Sequence, residues 1–147
     1  MRIQYGALPV ARLGGQPMVM LVTSRGTRRW IIPKGRPEKG VKPYRLAEQE
    51  ALEEAGIVGR IGRKPIGRFL HPKFRPDGST VTCQIEVFRL DVDRQLNDWP
   101  EKGQRERRWC TLAEAARLVD TDGLAQLLRG LDEQSVEPAL ALDVALP

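Results

Sequence analysis

Apolar-rich runs at residues 5–12 and 18–23 flank Gly14-Gly15-Gln16-Pro17, which predicts two strands joined by a turn. Trp30-Ile31-Ile32 is a shorter apolar run stopped by Pro33. A turn-rich stretch, residues 34–42, then leads to Pro43, a residue suited to the first turn of a helix. That helix is expected over Pro43–Ala55, ended by Gly56, with Ala47, Ala51 and Ala55 as a small-residue stripe for close packing. Residues 60–70 and 81–92 read as strands on either side of the turn signal Pro76-Asp77-Gly78-Ser79. A short strand is expected at Arg107–Cys110, followed by helices over 112–119 and 124–131. Thr111 and Glu114 suit a capping box at the first of these. The elements add up to an α+β fold with one long helix among strands. In the tail, Leu140, Leu142, Val144 and Leu146 alternate, which suits an added strand, a contact in a homodimer, or a disordered end.

With 147 residues, one domain is expected, over residues 1–134 with a tail at 135–147. Composition is that of an ordinary globule, 41% hydrophobic and 29% charged. The apolar stretch Met18-Val19-Met20-Leu21-Val22 is far shorter than the roughly 20 residues that span a bilayer. No membrane partner is expected, and without an apolar signal after Met1 the cytoplasm is the expected compartment. Two cysteines give no disulfide framework, and a single histidine, His71, leaves no set of ligands for zinc hydrolysis. Chemistry must therefore fall to carboxylates, lysines and arginines.

Charge is unevenly spread. From Thr111 onward there are two basic residues against seven acids, so the net charge of +5 is generated entirely by the first 110 residues. Basic clusters lie at 25–39, 60–75 and 102–108, and could converge on a polyphosphate or on nucleic acid. Nucleic acid is disfavoured, because three Trp, two Tyr and three Phe offer few stacking platforms.

On the predicted long helix, Glu50, Glu53 and Glu54 stand at i, i+3 and i+4, within about 100° of one another on one face. No Lys or Arg shares that face within a turn. Such a cluster is either a solvated acidic face or a site for a hard divalent cation, Mg²⁺ or Mn²⁺, completed by substrate phosphates.

The residues from Gly35 to Ile57 resemble the box that defines the Nudix family. Gly35, Glu50, Ala51, Glu53, Glu54, Gly56 and Ile57 match its pattern at the right spacing. Trp30-Ile31-Ile32-Pro33-Lys34 looks like the strand entering the box, and Arg108-Trp109-Cys110-Thr111-Leu112 like the family's late strand and helix. Two positions depart. Val41 stands where the pattern has its first Glu, and Gln49 where it has an Arg.

The resemblance implies an α/β/α sandwich with a mixed sheet and a carboxylate-bearing helix. It also implies a hydrolase that cleaves a phosphoanhydride with Mg²⁺ held by Glu50, Glu53 and Glu54, the same residues being the expected catalytic set. Glu50 and Glu54 lead as contributors of a general base, with Glu86, Glu101 and Glu106 as outside carboxylates. Arg28-Arg29-Trp30, Asp98-Trp99 and the basic run before Trp109 are similar to the diphosphoinositol and diadenosine polyphosphate phosphohydrolase branch. The expected partner is thus a small phosphorylated substrate, with Arg28, Arg29, Lys34, Arg36, Lys73 and Arg75 as its contacts. Val41 and Gln49 keep open a catalytically weak sensor of nucleotides or polyphosphates, and the basic segments keep open RNA 5′-end hydrolysis.

Overall fold

The computed structural model describes residues 2–131, so the tail at 135–147 and its alternating leucines lie outside the described residues. Strands β1 (Arg2–Leu13), β2 (Gln16–Thr23), β3 (Trp30–Ile31) and β4 (Lys34–Gly35) precede helix α1 (Pro43–Ala55). Then follow β5 (Ile57–Ile61), β6 (Gly67–Phe74), β7 (Thr80–Gln95), β8 (Arg107–Cys110), α2 (Leu112–Leu118) and α3 (Asp122–Gly130). The sheet runs β3-β2-β1-β7-β5, with β4 joined to β1, β6 to β7 and β8 to β2. It is mixed, since β1 and β7 pair in parallel while the other pairs are antiparallel. Residues 6–11 of β1 are buried at every position, so both faces of the central strand are covered, as parallel pairing favours. Helix α1 lies against β1, β4 and β5, and α2 and α3 against β2 and β6, forming the α/β/α sandwich.

The single strand expected over 60–70 is two strands. Pro65 lacks the N–H a ladder needs, and residues 62–66 break the run. Both halves pair with the 16-residue β7, from Ile57↔Gln95 to Ile61↔Leu90 and from Gly67↔Val87 to Phe74↔Thr80. The basic run therefore does not converge: Arg60 and Arg63 lie near the end of β5, and Lys73 near the far end of β6.

Gly56 terminates α1 at φ +66°, its N–H donating to the carbonyls of Ala51 and Leu52. Trp99 Nε1 donates to Glu54 O at 3.2 Å, and Arg107 Nη1 to Ala55 O at 2.9 Å, which satisfies further terminal carbonyls. The Arg107 guanidinium also lies 3.9 Å from the Trp99 ring centroid. A Cβ at Gly56 would sit 2.7 Å from Trp99 Cδ2. Gly56→Ala combines a left-handed backbone with overpacking, so it is expected to cost about 2–4 kcal/mol. Thermal unfolding checks this, and an unchanged Tm would contradict it.

The capping box on α2 forms as expected, with Glu114 N–H donating to Thr111 Oγ1 at 3.1 Å and Thr111 N–H to Glu114 Oε1 at 2.8 Å. Thr121 precedes α3 without capping it, because its hydroxyl bonds His71 Nδ1 at 2.7 Å.

Candidate active site

Helix α1 brings Glu50, Glu53 and Glu54 to one cavity of about 410 Å³, lined also by Lys34, Arg36 and Glu101 among others. Glu54 is 4% exposed, so its carboxylate must be paired. It accepts the Lys34 backbone N–H at 3.1 Å and meets Arg105 Nη2 at 3.2 Å. Burial still outweighs these partners and pushes the Glu54 carboxyl up to about 7. No Lys or Arg of α1 relieves this face, and Arg105 does so from elsewhere in the chain. It comes from the segment before β8, 51 residues along the chain from Glu54, and its side chain is 11% exposed. Its Nε also donates to Glu101 Oε1 at 2.8 Å and its Nη1 to Thr23 O at 3.1 Å. With Glu101 N–H donating to Glu53 O at 3.0 Å, residues 101–105 are clamped onto the helix.

Gly35 is needed for close approach. A Cβ there would lie 2.8 Å from Glu50 Cγ and closer still to its carboxyl carbon. Burial first, then the charges of Glu54, Glu53, Glu101 and Glu38, push the Glu50 carboxyl up to about 8. Gln49 donates from Nε2 toward Glu53 Oε1 at 3.3 Å and Glu38 Oε1 at 3.4 Å. The box position held by Val41 thus carries no acid, yet Glu38, three residues earlier, faces the same group of carboxylates.

The carboxylates of Glu50, Glu53, Glu54 and Glu101 line the cavity beside Arg25, Lys34, Arg36, Lys73 and Arg105, and hard oxygen donors of this kind fit a divalent cation. Among the described residues no three acidic, His or Cys side chains converge tightly enough to ligate one ion by themselves. Mg²⁺ usually takes one or two protein carboxylates and completes its shell with water and substrate phosphate.

Two further cavities adjoin this one. One of about 580 Å³ is lined by Trp30, Ile31, His71, Phe74, Arg29 and Thr121 among others. The other, of about 450 Å³, is lined by Arg2, Ile3, Gln4, Arg36, Lys73 and Cys83 among others. Of the six basic residues expected at substrate, Lys34, Arg36 and Lys73 line the carboxylate cavity, and Arg29 lines the 580 Å³ cavity, bonded to Asp120 at 2.8 Å. Arg28, in a turn at φ +57°, and Arg75, after β6, line none of the three. Sequence reasoning missed Gln4 and Arg25 as site residues, and it missed that Arg105 pairs with Glu54. Nothing local marks them. Glu101, weighed as an outside carboxylate, lines the cavity; Glu86 and Glu106 do not.

Residues 2–131 match the family model of the NUDIX domain. The chain belongs to the Nudix family. Its relatives include Nudix hydrolase 12, mitochondrial, of Arabidopsis thaliana, 34% identical over 126 residues, 79% of this chain and 61% of that protein. Diphosphoinositol polyphosphate phosphohydrolase 3-alpha of Mus musculus is 31% identical over 104 residues, 69% of this chain and 59% of that one. The chain spans about six-tenths of the length of these curated relatives. A crystal structure of a C. elegans Ap4A hydrolase binary complex superposes with a TM-score of 0.67 at 21% identity, covering 88% of this chain and 93% of that one, which shows the shared fold. No helix among the described residues of this Nudix chain is long and apolar enough to cross a membrane.

Proposed function

We propose that this Nudix domain is an Mg²⁺-dependent pyrophosphohydrolase acting on a small, phosphate-dense substrate, a dinucleoside polyphosphate or a diphosphoinositol polyphosphate. The observation that carries this is one cavity lined by Glu50, Glu53 and Glu54 together with Lys34, Arg36 and Lys73. Glu50, Glu53 and Glu54 would between them hold one or more cations, which when bound would neutralise phosphate charge and polarise phosphorus. The cationic side chains bind and orient the anhydride. Glu50 and Glu54, both lining this cavity, lead as the carboxylates that take a proton from water.

The apolar part of the 580 Å³ cavity favours the nucleoside-bearing substrate. Phe74 is 70% exposed at its edge and Trp30 half-buried in it, surfaces suited to a planar base and wasted on a phosphorylated inositol ring. The cytoplasm is the compartment proposed, although several Arabidopsis thaliana relatives bear mitochondrial names.

The test is phosphate and nucleotide release with Mg²⁺ or with EDTA. The panel holds diadenosine polyphosphates, a diphosphoinositol polyphosphate, ADP-ribose and 5′-triphosphorylated RNA. Turnover is expected to require Mg²⁺ and to fall about a hundredfold in Glu53→Gln, which removes a charge without disturbing a buried pair. Binding without turnover would make the chain a sensor, and preference for RNA would make it an RNA 5′-end hydrolase.

A further inference from the structure

One stretch of the sheet lacks a covering layer among the described residues. The register places Ile3, Gln84 and Leu70 in a single row across β1, β7 and β6. Phe69 is buried and points to the opposite face of β6. There α3 packs so closely that a Cβ on Gly123 would lie 3.1 Å from Phe69 Cβ. On the uncovered side Ile3 is 43% exposed and Leu70 51%, and Ile66, just before β6, is 40% exposed. Aliphatic side chains gathered in the open on one surface, unlike ones scattered singly, mark a place of contact.

The path and charge of the chain point to what makes that contact. Gly123 lies beside Leu70 and Leu127 beside Gly67, so α3 runs back along β6 and delivers the chain toward the start of that strand. Among the described strands β6 pairs with β7 alone, which leaves its other edge for the chain to pass around. Residues 132–138 span up to about 24 Å when extended, enough to cross from the α3 face to the uncovered one. Beyond them Leu140, Leu142, Val144 and Leu146 alternate with Ala139, Ala141, Asp143 and Ala145, so an extended segment gathers its large apolar side chains on one side. Through residue 131 the chain has 24 basic and 15 acidic residues, a net +9, whereas residues 132–147 hold four acids and no base. Arg63, Lys64 and Arg68, exposed near the edge to be rounded, form no ion pair among the described residues. Asp132, Glu133 and Glu137 complement them, while a second copy would set one strongly basic domain against another.

We propose that residues 139–146 fold back within the same molecule and cover the sheet face at Ile3, Ile66 and Leu70. The apolar side chains of the segment gain a surface to bury against, and its acids stand beside the basic edge of β6. This docking is independent of the hydrolase reading and stands or falls without it.

The test is methyl NMR on the full chain with its Ile, Leu and Val methyls labelled. Through-space contacts are expected from the methyls of Ile3 and Leu70 to those of Leu140, Leu142, Val144 or Leu146. A sample mixing labelled with unlabelled chains is expected to show no such contact between molecules. Leu140→Ser/Leu142→Ser is expected to abolish the contacts and to shift the Ile3 and Leu70 methyl resonances. Buried Leu46 and Leu90 should keep theirs in that variant, which reports an intact core. No contact between these methyls in the wild type overturns the proposal. Contacts found only between molecules overturn it in favour of a second copy, and Ile3 and Leu70 resonances unmoved in the variant overturn it as well.

Discussion

Arg105→Met is expected to lower hydrolysis about a thousandfold and to destabilise the protein by about 3–5 kcal/mol. The guanidinium is almost wholly buried and joins Glu54, Glu101 and the carbonyl of Thr23. Removing it leaves the Glu54 carboxylate inside the fold without its cation. That carboxyl is already raised to about 7 with Arg105 present, so without it Glu54 is expected to stay protonated at neutral pH. A neutral Glu54 is a poor ligand for a divalent ion, and the loop at 101–105 loses its anchor to α1. The double variant Arg105→Met/Glu54→Leu separates the two effects. Replacing both partners removes the stranded charge, so stability is expected to return to within about 1–2 kcal/mol of wild type while activity stays lost. Denaturant unfolding and Mg²⁺-dependent turnover, measured side by side, decide it. Wild-type turnover in Arg105→Met would remove Arg105 from the active site.

This pair also explains which parts of the molecule were readable in one dimension. Spacing along the chain fixes which residues share a helix face, so Glu50, Glu53, Glu54 and the Gly56 stop were legible before any coordinates. Charge compensation across the fold is not written in spacing. Arg105 is one of four basic residues in a short run, and only the path of the chain from β7 to β8 sets it against Glu54. The same limit acts in reverse on Arg28 and Arg75. Their charge and their proximity in sequence to the box and to Lys73 suggest substrate contact, yet they line none of the three cavities.

Position 49 shows how a departure from a family pattern is absorbed. Gln cannot supply the charge of an Arg, and the sequence alone suggests a weakened site. In the fold, the Gln49 amide spans Glu38 and Glu53, and the cationic partner of Glu54 comes from Arg105. Pro65 marks the split of the run at 60–70, but the strand expected over 81–92 is shorter than β7 and offers no evident room for two partners. A 16-residue strand has room for two antiparallel partners end to end, and that length is a tertiary fact.

The metal-free protein is expected to lose stability as pH rises from about 4.5 to about 8, where most small domains are near their best. Glu50 and Glu54 are raised from an ordinary 4.5 to about 8 and about 7. The folded state therefore keeps protons that the unfolded chain releases from pH 4.5 upward. Their contribution is full below 4.5, declines through the interval, and is gone above about 8. Glu50 is only half-buried, so solvent screens much of the effect. A fall in Tm on the order of 5 °C between pH 5 and pH 8.5 is the reasonable size after that discount. His71, lowered from 6.5 mainly by burial, acts with the opposite sign and gains stability as pH rises toward 6.5. Glu50→Gln isolates the carboxylate part: it keeps His71 and should flatten most of the decline. Added Mg²⁺ should raise Tm more at pH 8.5 than at pH 5.5, because a cation binds the ionised carboxylates of the folded state alone. The measurement is a melting series on EDTA-treated protein and Glu50→Gln, each with and without Mg²⁺. A wild-type Tm that is flat or rising between pH 5 and 8.5, with no added response to Mg²⁺ at the alkaline end, would mean that these carboxylates are not short of a cation.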